Sequence, residues 1–348
     1  MEPAAAHRAA AVTSSPTPHP AHLQLPETVH RDDHGRLQIR WIYTASIIAI
    51  HVAALAACIP WLFSWTGLVL CLAGLYIFGT LGVNVGFHRL LTHRSFACPL
   101  WVERGLALLG VCCLQEGPAR WVAIHRQHHQ HSDEQPDPHS PLVRFFWGHI
   151  GWLLVANSAT DTMGLYQRYA PDLTRQPFYL NLERRLNWLW VYLLHAVLIV
   201  AAAALIGRAV LGDWAHAGQL AASVLVWGVL LRTVLVWHIT WSVNSLSHLF
   251  GYQSHDTGEN SRNNWLVALI SNGEGWHNNH HADQCSAAHG HAWYELDVSY
   301  LTIVAMEKLG LARKVRRPKP AAAVTAAATP APAPVITART ARTSSGPR

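Results

Sequence analysis

From Trp41 to Phe87 the chain runs 47 residues without a single Asp, Glu, Lys or Arg. About 20 helical residues cross a bilayer core, so this run is too long for one helix and long enough for two. Pro60, near its middle, removes an amide donor and breaks it. The pattern predicts a hairpin with spans at 41–59 and 61–87. A second apolar pair is predicted at 188–206 and 214–236. Between the pairs lies a polar stretch, 88–187. Its one shorter apolar piece, Leu106 to Leu114, is expected to be interfacial or re-entrant.

Loop charges orient the spans. Ten Arg lie between residues 88 and 187, whereas the loop joining the third and fourth spans offers only Arg208. The positive-inside rule puts the Arg-rich side, and with four spans both termini, in the cytoplasm. Arg232 is expected to snorkel at that surface where the fourth span leaves the bilayer. The same helix, continued to His248, reaches roughly 24 Å beyond it. His88 and His93 likewise fall beyond the cytoplasmic end of the second span.

Composition supports this reading. Of 348 residues 51% are hydrophobic and only 13% charged, about half the usual charged share of a soluble domain. Sixteen Trp fit a chain with two membrane interfaces. The net charge of +6 is a property of the tail. Eight of the 26 Lys and Arg lie between Arg313 and Arg348 with no acid among them, leaving 18 basic against 20 acidic residues. A nucleic-acid partner therefore has no basic patch to meet. The six Cys form no Cys-x-x-Cys pair and read as packing residues. The first 30 residues lack a signal-peptide pattern. Residues 1–40 are expected to be a disordered arm, 41–312 the membrane domain, and 313–348 a disordered basic tail.

Histidines carry the candidate chemistry. Three boxes stand out: His88-Arg-Leu-Leu-Thr-His93, His125-Arg-Gln-His128-His129 and His277-Asn-Asn-His280-His281. A fourth piece, Asn244-Ser-Leu-Ser-His248, ends the fourth span. Spacing of i, i+3, i+4 lets each His-x-x-His-His box aim three imidazoles one way. His88 and His93 are i and i+5, about 140° apart on an ideal helix. They converge only across a helix end, a distortion or two metals. The set numbers nine His, more than one ion takes, which suggests two metals. Imidazole suits Fe, Zn, Cu and Ni alike, so the ligands do not name the metal. Bound histidines must be neutral. His51, His195, His216 and His238 read as structural, His7, His19, His22, His30 and His34 as part of the arm, and His289 and His291 stay unassigned.

With these residues in place, the sequence resembles the membrane fatty acid desaturases, specifically the stearoyl-CoA desaturase-like branch. The stretches that carry the resemblance are Gly86 to His93, Trp121 to His129, Asp137-Pro-His139, Gly148-His-Ile-Gly-Trp152, Asn244 to His248 and Gly273-Glu-Gly-Trp-His277 through His281. It covers residues 40 to 312. It implies an all-α integral membrane fold, with four transmembrane helices and a cytoplasmic helical cap holding a di-metal histidine site. It also implies two non-haem irons on His88, His93, His125, His128, His129, His248, His277, His280 and His281, with Asn244 reaching one iron through water. Gln115 and Trp121 match positions near the substrate tunnel. Glu274 and Asp137 are candidates to orient imidazoles.

The implied reaction inserts a cis double bond, with Δ9 the expected position, into a saturated acyl chain, using O2 and two electrons. Iron and O2 must supply the oxidising power, since no side-chain base removes hydrogen from a methylene. The cytochrome b5 haem motif His-Pro-Gly-Gly is missing from the sequence, so the electrons are expected from a separate ferredoxin, b5-type protein or reductase. A bacterial inner membrane is the expected location.

One departure bears on the carrier. Animal acyl-CoA desaturases place an Asn, an Arg-Asp pair and basic residues where this chain has Glu116, Ala123-Ile124 and Val155-Ala156-Asn157-Ser158. None of these is a cation for the CoA phosphates, so an acyl group on a membrane lipid stands beside acyl-CoA. The alternatives are a di-iron hydroxylase, told apart by gain of one oxygen, and a metal transporter, which needs polar ligands inside its spans.

Overall fold

The computed structural model describes residues 23–319. The disorder expected at the two ends falls outside the described residues for 1–22 and 320–348. The described residues form an all-helical fold with four helices long and apolar enough to cross a bilayer: Trp41–Cys58, Trp65–Thr92, Pro177–Leu211 and Trp214–Leu246.

Local chemistry sets their ends. Pro60 opens a short 3-10 turn, Pro60–Leu62, between the first two spans. The second helix starts at Trp65, capped by Ser64, whose hydroxyl accepts from the Gly67 amide. Gly212, at φ 84°, ends the third where a left-handed residue is needed. Asp213 caps the fourth by accepting from the amides of Ala215 and His216. The first and third spans present most of their apolar surface outward, as lipid contact requires, while the fourth is largely buried among the others.

The second and fourth spans are wound partly with i→i+5 hydrogen bonds, over Leu75–Thr92 and Val224–Leu231. The piece expected to be interfacial or re-entrant is the helix Leu100–Val111, packed on the second span. Gly82 and Gly110 allow the approach. A Cβ on Gly82 would stand 2.3 Å from the Gly110 amide nitrogen, so any larger residue must push the helices apart.

Three expectations are corrected. Arg232 does not snorkel; it is wholly buried. Its guanidinium donates to the carbonyls of Gly228 (3.0 Å) and Cys112 (2.9 Å) and lies 3.0 Å from His195 Nε2. The Phe78 ring is beneath it at 4.3 Å. These partners replace water, and Gly74 leaves room for the side chain. Residues 23–40, assigned to a disordered arm, are ordered: Val29 packs on Val143, Trp147 and Val155, and the His30 amide donates to Ala156 O. Residues 313–319, assigned to the tail, are ordered too. Arg313 pairs with Ala97, and Arg316 bonds Ser95 and Ala287. In both segments backbone pairing overrides a polar composition.

Beyond the spans, the helices Pro118–His131, Trp265–Ile270, His277–Ala282 and Val298–Lys308 form a cap on one end of the bundle. Its core joins Phe87, Leu90 and Leu91 of the second span to Ala119, Val122, Tyr179 and Ile303.

Candidate metal centre

The winding of the second span resolves the i, i+5 puzzle. The His93 amide donates to His88 O (3.2 Å) and the Thr92 hydroxyl to Phe87 O (2.8 Å). In such a turn residues five apart come close to one face, and the His88 and His93 rings stand 4.8 Å apart.

The nine histidines fall into two groups. His88, His93, His125, His129 and His280 form one; His128, His248, His277 and His281 form the other. Each His-x-x-His-His box is split between them, so the expectation of three imidazoles aimed one way is corrected. The second box sends its i, i+4 pair, His125 and His129, to the five-histidine cluster and His128 to the other. The third box does the reverse: His277 and His281 go to the four-histidine cluster and His280 to the five. On a helix the i+3 position is rotated about 60° from i, enough for one short helix to serve both clusters.

Within each cluster the Nε2 atoms face one another. The separations are 3.1 Å for His88 to His280, 3.1 Å for His125 to His129 and 3.0 Å for His129 to His280. In the four-histidine cluster, His277 lies 3.1 Å from both His248 and His281. Nitrogens that share one ion about 2.0–2.2 Å away sit roughly 3 Å apart, so both clusters are tight enough to hold an ion. The buried Nε2 atoms of His93 and His128 have no hydrogen-bond partner among the described residues. Such orphaned acceptors cost stability unless something binds them. The residues therefore fit metal ions at both clusters.

Carboxylates hold the rings. His88 Nδ1 donates to Glu274 Oε2 (2.5 Å), His128 Nδ1 to Asp137 (3.0 Å) and His248 Nδ1 to Asp133 Oδ2 (2.8 Å). A proton fixed on Nδ1 turns the Nε2 lone pair toward the cluster. Glu274 is buried, accepting from Arg89 at 2.7 and 3.1 Å, and Arg89 also donates to Asp297 (2.9 Å) and Ala287 O (2.6 Å). Asp137 is held by the amides of Asp133 and His139. The two Asn of the third box staple loops: Asn278 accepts from the Ser254 and His255 amides, and Asn279 donates to Glu295 and His289 O.

Burial, and then neighbouring imidazoles, push His93, His125, His129, His277, His280 and His281 well below the ordinary histidine range. They stay neutral, as ligands must. His248 is the exception. Burial depresses it, but the Asp133 carboxylate outweighs burial and lifts it to about 9.

Asn244, Gln115 and Trp121 line one cavity with Ile47, Leu114, Trp237, His88, His125 and His277. Trp121 Nε1 donates to Gln115 Oε1 (3.0 Å), and Gln115 donates to the Thr240 hydroxyl (2.9 Å). Four partners of the clusters were given no role from the sequence: the buried Asp133, His139 and His289 and the half-buried Glu259. Asp133 and Glu259 lie beside the four-histidine cluster, with no spacing signal to reveal them. His139 packs on His128 at 4.4 Å and His289 on His280 at 4.3 Å. The Asp137-Pro-His139 stretch was the one available hint.

The fatty acid desaturase family model matches residues 60–298. The chain is 41% identical over 279 residues to the sn-1 stearoyl-lipid 9-desaturase of Anabaena variabilis, covering 80% of this chain and 94% of that protein. It is 42% identical over 279 residues to the sn-2 palmitoyl-lipid 9-desaturase of Nostoc sp. (strain 36), covering 80% and 90%. It is 39% identical over 269 residues to the acyl-CoA 5-desaturase AL21 of Anemone leveillei, covering 77% of each.

Proposed function

We propose, from the premise that this chain belongs to the fatty acid desaturase family and is thus an O2-dependent oxidoreductase of the membrane, that it inserts a cis Δ9 double bond into a saturated acyl chain at a di-iron centre. The observation that carries this reading is the cavity, which joins an apolar wall to histidines of both clusters. The five-histidine cluster would hold one iron and the four-histidine cluster the other, with Asn244 reaching the centre through water. Imidazole suits iron, and membership of an O2-using family favours iron over the redox-inert zinc.

Iron bound there supplies the oxidising power, with O2, to take hydrogen from an unactivated methylene. The balance is two hydrogens from the acyl chain, plus two electrons and two protons delivered by a donor, reducing O2 to two waters. The chain's own residues supply position and dryness. Ile47, Leu114, Trp237 and Trp241 exclude water from the acyl path. The Trp121–Gln115–Thr240 relay fixes the tunnel wall beside His125. Glu274, Asp137 and Asp133 hold imidazole tautomers. The donor is a ferredoxin, a b5-type protein or a reductase approaching the cap from the cytoplasm, the side the Arg-rich loops assign to it. Lipid-carried chains, as named for the Anabaena relative, are favoured over the acyl-CoA named for the Anemone one.

The test is to express the protein, feed labelled stearoyl chains and locate the double bond by mass spectrometry, with iron counted on the purified protein. A product two hydrogens lighter, unsaturated at C9, with about two irons per chain bears the reading out. Gain of one oxygen, or a double bond elsewhere, overturns it.

A further inference from the structure

The cavity has a charged rim. Glu116 and Tyr43 line it, and around them stand Arg40, Arg120 and Asp161. Arg120 donates to Glu116 (2.6 Å), to Asp161 (3.1 Å) and to the Thr160 carbonyl. Arg40 lies 3.7 Å from Glu116 and 3.9 Å from Asp161, donates to Leu153 O and covers the Tyr43 ring at 4.4 Å. The side chains of Arg40 and Asp161 keep 24% and 27% exposure, so the cluster stands between the cavity and the outside. Arg40 directly precedes Trp41, the exposed residue that opens the first span, which sets this rim at the head-group layer.

The rim is built. The Arg40 amide pairs with Leu154 O and the Ala156 amide with Gln38 O, strapping Arg40 across the opening. Glu116 is held at φ 65° and Leu114 at φ 56°, left-handed conformations that non-glycine residues adopt at a cost. A third carboxylate, Glu183, lies behind, accepting from the Ala119 amide at 2.8 Å.

We propose that Arg40, Glu116, Arg120 and Asp161 are a head-group filter that admits acyl chains carried on uncharged, hydroxyl-bearing membrane lipids and turns away polyanionic carriers. This rests on the desaturase reading above. Both guanidiniums are already committed to acids and carbonyls, so neither presents a free fork to a phosphate. Glu116 and Asp161 balance the two arginines and occupy them, so a carrier with several phosphate charges finds no unpaired guanidinium among them and meets two carboxylates at close range. A sugar hydroxyl, by contrast, donates to Glu116 or Asp161 without breaking an ion pair.

The experiment compares membranes containing wild type, Asp161→Asn and Glu116→Gln/Asp161→Asn. Each receives labelled stearoyl chains either as stearoyl-CoA or as a glycosyl diacylglycerol in vesicles. Stearoyl-CoA binding to the purified full-length proteins is measured in parallel. Wild type converts the glycolipid in preference. The double variant raises the stearoyl-CoA share and affinity about tenfold. Asp161→Asn, at the more exposed acid, gives a smaller rise in the same direction and serves if the double variant does not fold. Equal use of both carriers by wild type overturns the filter, as does unchanged stearoyl-CoA affinity in the variants. Failure to desaturate either carrier strikes at the desaturase reading instead, and the binding comparison still decides the filter.

Discussion

The two histidine clusters share two helical segments, Pro118–His131 and His277–Ala282, yet sit in different electrostatic settings. The five-histidine cluster has one carboxylate against it, Glu274, and that acid is shared with the buried Arg89. The four-histidine cluster has Asp133, Asp137 and Glu259 around it, all within reach of its histidines and none paired with an arginine among the described residues. The first setting is close to neutral and welded to the fold through Arg89, Asp297 and Ala287. The second is anionic and held mainly by loops, with Asp133 itself at φ 58°. An anionic shell favours a bound cation, so the four-histidine cluster should keep its metal longer. The five-histidine cluster should matter more to folding.

The largest expected effect removes a ligand from either side. His277→Ala and His93→Ala should each abolish double-bond formation. Each should also lower the metal content from about two ions per chain to about one, measured by elemental analysis. Loss of both ions from either variant would show that the clusters bind as one unit.

Next comes Glu274→Leu, which takes one of its two carboxylate partners from the buried Arg89 and leaves it Asp297 and the Ala287 carbonyl. Breaking a buried pair this way costs about 3–5 kcal/mol, so thermal unfolding of the metal-free protein should fall sharply. Asp133→Asn leaves no such cation behind. It should instead weaken metal binding about 10–100-fold, seen in chelator competition at the four-histidine site alone. Equal thermal losses from the two variants would erase the distinction between the clusters.

The smallest effect is in pH. The six depressed imidazoles take protons more readily in the unfolded chain, so metal-free stability should fall as pH drops below about 6.5. Four of them, His93, His125, His129 and His280, belong to the five-histidine cluster. His248 has the opposite sign. Raised to about 9, it stabilises below the unfolded value and that contribution is lost as pH rises through about 9. Asp133→Asn should remove the alkaline loss and leave the acid one, measured as melting temperature from pH 5 to 10.

The sequence alone determined the apolar helices, because a charge-free run has few other places to go, and it marked the nine histidines, because ligand spacing is written locally. The break between the first two spans was legible through Pro60, which acts on its own neighbours. Tertiary structure decided the rest. The sharing of each box between two clusters depends on which faces of the Pro118–His131 and His277–Ala282 helices meet across the fold. The i→i+5 winding that joins His88 to His93 is set by packing against other helices. Asp133 reaches His248 from a distant segment, and Arg232 finds the Cys112 carbonyl and the His195 ring only once those segments are folded against it. Buried charge is a collective property: the partners that make it tolerable lie far apart along the chain, where no local pattern can pair them.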